Sequence, residues 1–188
     1  MIITLKDEKS VWVGISTEGL RYDVDEEDVL CEENLNMWRP ERVSNCLMAF
    51  RRAGGRDLDA LRYRKHLGLS ASLNHSNLLL KIIPKIKAVF EECEMMDGKE
   101  SWQTFVIAKE DRAFVVLPTF TCCEIEDFDT RGGAGEDILH GAMLQYSNLQ
   151  PVERIAEAFR CLNKLRSPKY FPLVIMNTKT KERIVVYE

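Results

Sequence analysis

The order of elements in the sequence predicts an α+β protein of four layers, an αββα sandwich of two sheets packed face to face with a helix pair on each outer side. Three observations carry this expectation. At 188 residues the chain can bury a substantial core as a single domain spanning 1–188, since roughly 100–200 residues make one domain. Its β-branched and apolar residues fall into strand-length runs, and these are interrupted by stretches with apolar residues every three or four positions. The succession strands, two helices, strands, two helices, strands is one that closes two sheets between helix pairs.

The first element is a hairpin. Residues 2–5 and 11–15 are rich in Ile and Val, and the charged run Lys6-Asp7-Glu8-Lys9 between them supplies the turn. Residues 18–42 are acidic and lack a clear period, which predicts a loop with short extended pieces. Asp23, Asp25 and Asp28 resemble the start of a calcium loop, but no glycine stands at the sharp-turn position and Glu32 and Glu33 miss the closing spacing, so a solvated loop is expected there and no metal. Residues 46–50 form a short apolar run suited to a buried strand, and Gly54-Gly55 ends it.

Asp57 then caps a helix expected over residues 57–67, with Gly68 after it. The next helix is expected over 77–94, where Leu78, Leu79, Ile82, Ile83, Ile86, Val89 and Phe90 make a broad apolar stripe and Pro84 predicts a kink. Residues 105–108 and 113–117 read as two strands joined by the polar turn 109–112, and 121–125 adds a third short piece. Within it, the period of a strand sends Cys122 and Cys123 to opposite faces.

The glycine turn Gly133-Ala134-Gly135 opens a helix over 136–146, with Glu136 and Asp137 complementing its dipole. A second helix begins at Pro151 and places Val152, Ile155, Ala156, Phe159 and Leu162 on one face. A closing hairpin over 173–177 and 183–187 completes the pattern.

Composition narrows the function classes. The chain is 45% hydrophobic and 30% charged, with a formal net charge of -4, which describes a globular protein with no long-range attraction for nucleic acid. No apolar run approaches the roughly 18 residues that span a bilayer, and no leader-type segment opens the chain, so a cytoplasmic protein without membrane contact is expected. Six cysteines without CxxC spacing read as reduced thiols. His66, His75 and His140 show no paired-ligand spacing, and no dinucleotide or phosphate-loop fingerprint is present, so neither metal nor cofactor is expected.

Several local sequences, in order, carry a resemblance. Leu47-Met48-Ala49-Phe50 followed by Ala53-Gly54-Gly55-Arg56-Asp57-Leu58, then Gly133-Ala134-Gly135 with Gly141-Ala142, then Leu149-Gln150-Pro151-Val152-Glu153-Arg154-Ile155-Ala156, then Pro172-Leu173-Val174-Ile175-Met176, together resemble the proteasome and its bacterial HslV-like peptidase relatives. Those proteins have the N-terminal nucleophile hydrolase fold. The resemblance implies a catalytic first residue, whose free amine activates its own hydroxyl or thiol.

At that place this sequence has Met1 or Ile2. The family's supporting aspartate falls on Ser16 or Thr17, its strand-three lysine among Met37, Trp38 and Arg39, and its helix-opening serine on Ala134. A methionine or alanine cannot pass a useful proton, and loss of the lysine removes the charge that tunes the amine. The resemblance therefore implies the fold without the catalysis: a silent assembly or scaffold subunit, a homo-oligomer or the partner of another protein. The alternative is an active threonine-type peptidase or amidohydrolase exposed by trimming to Thr4. That Thr4 stands only seven residues before Val11, which shortens the first strand, and no aspartate or lysine lies at the matching spacing.

Overall fold

The computed structural model describes residues 1–16, 41–43, 45–50, 72–101, 104–166, 170–180 and 182–188. The acidic stretch 18–40, Gly54-Gly55 and the helix expected over 57–67 lie outside them.

The opening hairpin forms as expected from β1 (Ile2–Asp7) and β2 (Ser10–Ser16). Then follow β3 (Glu41–Val43) and β4 (Cys46–Phe50). The next helical rod has three segments: α1 (His75–Asn77), a π-helical turn (Leu78–Ile82) and α2 (Ile83–Glu92). Asn74 caps it, its side chain accepting from the Asn77 N–H at 2.9 Å.

Pro84 does interrupt the expected helix, as a change of hydrogen-bond register. Its ring removes the N–H that would bond the carbonyl four residues back, and just before it the Ile83 N–H bonds the Leu78 carbonyl, five residues back. The extra residue in that turn keeps Leu78 and Ile82 inside, while Leu79, expected in the apolar stripe, is 38% exposed.

A two-strand ribbon that the sequence does not announce, β5 (Met96–Asp97) and β6 (Glu100–Ser101), leads into β7 (Phe105–Lys109), β8 (Arg112–Val116) and β9 (Cys122–Glu124). In β9, Cys122 is buried and Cys123 exposed, as strand alternation requires. A further unannounced strand, β10 (Phe128–Arg131), precedes α3 (Glu136–Gln145) and α4 (Pro151–Leu165), and the hairpin of β11 (Leu173–Asn177) and β12 (Arg183–Val186) ends the fold.

Among the described residues two five-stranded sheets result, in the orders β10-β1-β2-β11-β12 and β3-β4-β7-β8-β9. Alternation along the strands divides the buried residues into three apolar layers. Ile3, Leu5, Leu173 and Ile175 face Leu139, Met143, Ile155, Phe159 and Leu162 of α3 and α4. Met48, Phe50, Phe105, Ile107 and Phe114 face Leu78, Ile82, Ile86 and Phe90 of the first helical rod. Between the sheets lie Ile2, Val11, Val13, Leu47, Ala49, Val106 and Ala108. The architecture is the expected four-layer αββα sandwich. Among the described residues no helix is long and apolar enough to cross a membrane.

One buried cation ties α4 to its surroundings. Arg154 is only 7% exposed, yet its Nε donates to the Met143 carbonyl at the end of α3 at 2.9 Å, and its guanidinium lies 5.2 Å from the Phe128 ring centroid. A buried charge is tolerated only when so partnered.

Candidate functional site

The site begins with register. Antiparallel pairing places Ile2 of β1 opposite Ile15 on one side and Arg131 on the other, so Met1, one residue earlier, lies between Ser16 and Gly132. The Met1 ammonium donates to Ser16 Oγ at 2.9 Å, and the Ser16 N–H donates to the Met1 carbonyl at 3.1 Å. Ser16 is 2% exposed. The first residue is thus held at both its amine and its carbonyl.

The Met1 side chain runs across the glycine turn. A β-carbon added at Gly132 would stand 2.4 Å from Met1 Cγ, and one at Gly135 would stand 2.9 Å from Met1 Cε and 2.7 Å from Leu162 Cδ1. At Gly132 a side chain would need the space the methionine occupies, and at Gly135 it would meet Leu162 and the methionine together. Between them Gly133 adopts φ 90°, left-handed backbone that favours glycine for its own reason. Its carbonyl accepts from the Gly135 and Glu136 amides at 2.7 and 3.0 Å, which turns the chain into α3.

Charge at the site is concentrated at the end of β10. Arg131 donates through Nε and Nη2 to both Asp129 oxygens at 2.8 and 2.7 Å, and its Nη1 stands 3.9 Å from Glu136 Oε1. The hydrogen bonds to Asp129 raise the Arg131 pKa above its ordinary value. Glu136 also accepts from the Gly132 N–H at 3.2 Å, so the first acidic residue of α3 pins the turn as well as complementing the helix dipole.

The sequence-derived positions divide as follows. Met1, Ile2, Ser16 and the glycine turn converge on one end of the sheet formed by β10, β1 and β2. Ile2 points into the apolar layer between the sheets, and Ala134 is solvent-exposed. Thr17 and Arg39 lie outside the described residues. Thr4 sits inside β1, paired with Val13 and Asp129 at the backbone level; it is fully buried, and among the described residues its Oγ1 has no hydrogen-bond partner. Sequence reasoning missed the Asp129–Arg131–Glu136 cluster, for which the alternation of charges in Asp129-Thr130-Arg131 was the available signal.

Chemically, the described groups supply an ammonium, a buried hydroxyl that accepts from it, and a guanidinium balanced by two carboxylates.

No protein-family model matches the sequence, and no curated protein matches it either. Solved structures do match. Thiobacillus denitrificans BPH, in complex with epoxomicin, superposes with a TM-score of 0.70 at 14% identity over 94% of this chain and 96% of that one. HslV from Trypanosoma brucei gives 0.58 at 7% identity over 94% and 97%, and Anbu (ancestral beta-subunit) from Yersinia bercovieri gives 0.63 at 6% over 100% and 86%. At these identities the likeness is one of architecture, and it covers nearly the whole chain. This chain has the proteasome-type, HslV-like fold of the N-terminal nucleophile hydrolases.

Proposed function

We propose that the protein is a catalytically silent proteasome-type subunit that works by assembly, as a homo-oligomer or as a scaffold for a protein partner. The observation that supports this most directly is Met1 itself. Its side chain fills the space beside Gly132 and Gly135, where the fold resemblance expects an N-terminal nucleophile and its helix-opening serine. Where the resemblance expects an acidic group, Ser16 or Thr17 stands, each neutral, and Ala134 has no proton to offer.

Epoxomicin is the natural probe, because a BPH of the same fold was solved in complex with it. Intact mass after incubation should show the unmodified chain, and a panel of fluorogenic peptides should show no turnover above buffer. An epoxomicin adduct, or hydrolysis lost on treatment with it, would sink the silent reading.

A second reading rests on the buried hydroxyl of Thr4, unpartnered among the described residues, since such groups are rare and call for a reason. Trimming to Thr4 would make it the first residue. The same trimming removes Ile2 and Ile3, which are buried in two different apolar layers and are held by backbone pairs to β2 and β10. Burial of these two side chains is worth about 1.5–3 kcal/mol each, which weighs against it. Mass spectrometry of the protein from its native cell separates the readings: a chain beginning at Thr4, with activity abolished in Thr4→Ala, favours the peptidase.

A further inference from the structure

The two outer helical layers each carry an apolar feature that the site does not use, and the two are complementary. On the first layer, the π-helical turn presents Leu79 and Leu80, the latter 73% exposed, beside the exposed Lys81 and Lys85. Among the described residues neither lysine is ion-paired. An exposed leucine pair flanked by cations is a protrusion with a preferred counterpart: apolar, concave and acidic.

That counterpart lies on the opposite layer. At the junction of α3, α4 and β12 there is an open cavity of about 730 Å³. Leu149, Val152, Ala156 and Val186 give it apolar walls, and Glu153, Glu157 and Arg160 are its charged lining. Glu157 is bonded to Arg160, whereas Glu153 is exposed and makes no ion pair among the described residues. Leu144 at the end of α3 is a further exposed apolar residue on the same layer, 56% exposed.

We propose that the Leu79–Leu80 turn of one copy seats in the α3–α4–β12 cavity of a second copy, with Lys81 and Lys85 facing Glu153. This rests on the assembly reading and names its contact. Because protrusion and cavity are on opposite outer layers, no copy fills its own cavity. The interface is therefore heterologous, and every copy offers one protrusion and one cavity. Such contacts add further copies, closing into a ring or continuing as a stack according to the rotation between neighbours.

The geometry permits a decisive mixing experiment. Leu80→Asp removes the protrusion at an exposed position, and Val152→Trp fills the cavity from its wall. Light scattering on the full chain should show that the wild type assembles and that each variant alone is monomeric at concentrations ten-fold higher. Mixed in equal amounts, the variants should form a one-to-one dimer and nothing larger, because only one protrusion and one matching cavity remain. Should Val152→Trp fail to fold, Glu153→Lys weakens the cavity arm, and a chain carrying Lys81→Glu and Lys85→Glu should restore association with it. Variants that assemble like the wild type, or a mixture that stays monomeric, overturn this contact and leave the assembly reading standing. A wild type that is monomeric at every concentration overturns both.

Discussion

Gly132→Ala tests the account of the site through packing alone. The added methyl would stand 2.4 Å from Met1 Cγ, 2.9 Å from its Cβ and 3.0 Å from its Cα. Ordinary contact begins at 3.4 Å; a new rotamer can move Cγ away, but Cβ and Cα move only with the backbone, so residue 1 must retreat by about 0.5 Å. A retreat of that size stretches both bonds to Ser16, now 2.9 and 3.1 Å, past useful length. Each is worth about 1 kcal/mol net, and overpacking adds about 1–3, so the expected loss is about 3–5 kcal/mol.

Gly141→Ala provides the control of opposite sign. Nothing lies within 4 Å of a β-carbon there, and alanine is favoured over glycine inside a helix by about 0.8–1 kcal/mol. Urea unfolding of both variants, fitted with a common slope, reads the pair directly. A Gly132→Ala midpoint equal to that of the wild type would show that Met1 does not occupy this space, and the packing argument for a filled site would fall with it.

Three further outcomes follow from Arg154 and the thiols. Arg154→Met removes the donor to the Met143 carbonyl and the cation over Phe128, and should cost about 2–3 kcal/mol, lowering Tm by roughly 4–12 °C; an unchanged Tm in calorimetry contradicts the role given to it. Among the thiols, exposed Cys123 should be alkylated well before Cys46 and Cys122, whose pKa values burial pushes up to about 11; equal labelling rates by peptide mass mapping would refute this. Because their folded pKa values are raised, these two thiols contribute their stability in full below 9.0 and lose it as pH climbs toward about 11, so unfolding midpoints should decline across that window.

Sequence and structure agree most closely where one physical signal dominates. Ile2, Ile3, Leu5, Val11, Val13 and Ile15 announce β1 and β2 because both faces of that central hairpin are buried. β10 is silent because it is an edge strand in which Thr130 is the one fully buried residue among Phe128, Asp129 and Arg131. Leu79 departs from the expected stripe because a 3.6-residue period does not encode an extra residue in one turn. At the site, the residue types at Ser16 and Ala134 and the glycines around them are legible in the sequence. What Met1 does there is not, because it depends on two strand registers meeting at one residue, a fact of pairing that no local pattern encodes.

The π-helical turn has a consequence for how this surface can change over generations. A turn that holds one residue more than an α-helix needs is a place where the chain can lose a residue without breaking the helix. Deletion of one residue between Leu79 and Lys81 would return the rod to α-helical spacing, while Ile86, Val89 and Phe90 beyond it kept their places in the core. The protruding leucine would vanish in that single event. For this helix, then, the relevant variation is in length, and a one-codon deletion would test in nature's terms whether the bulge is kept for what it displays.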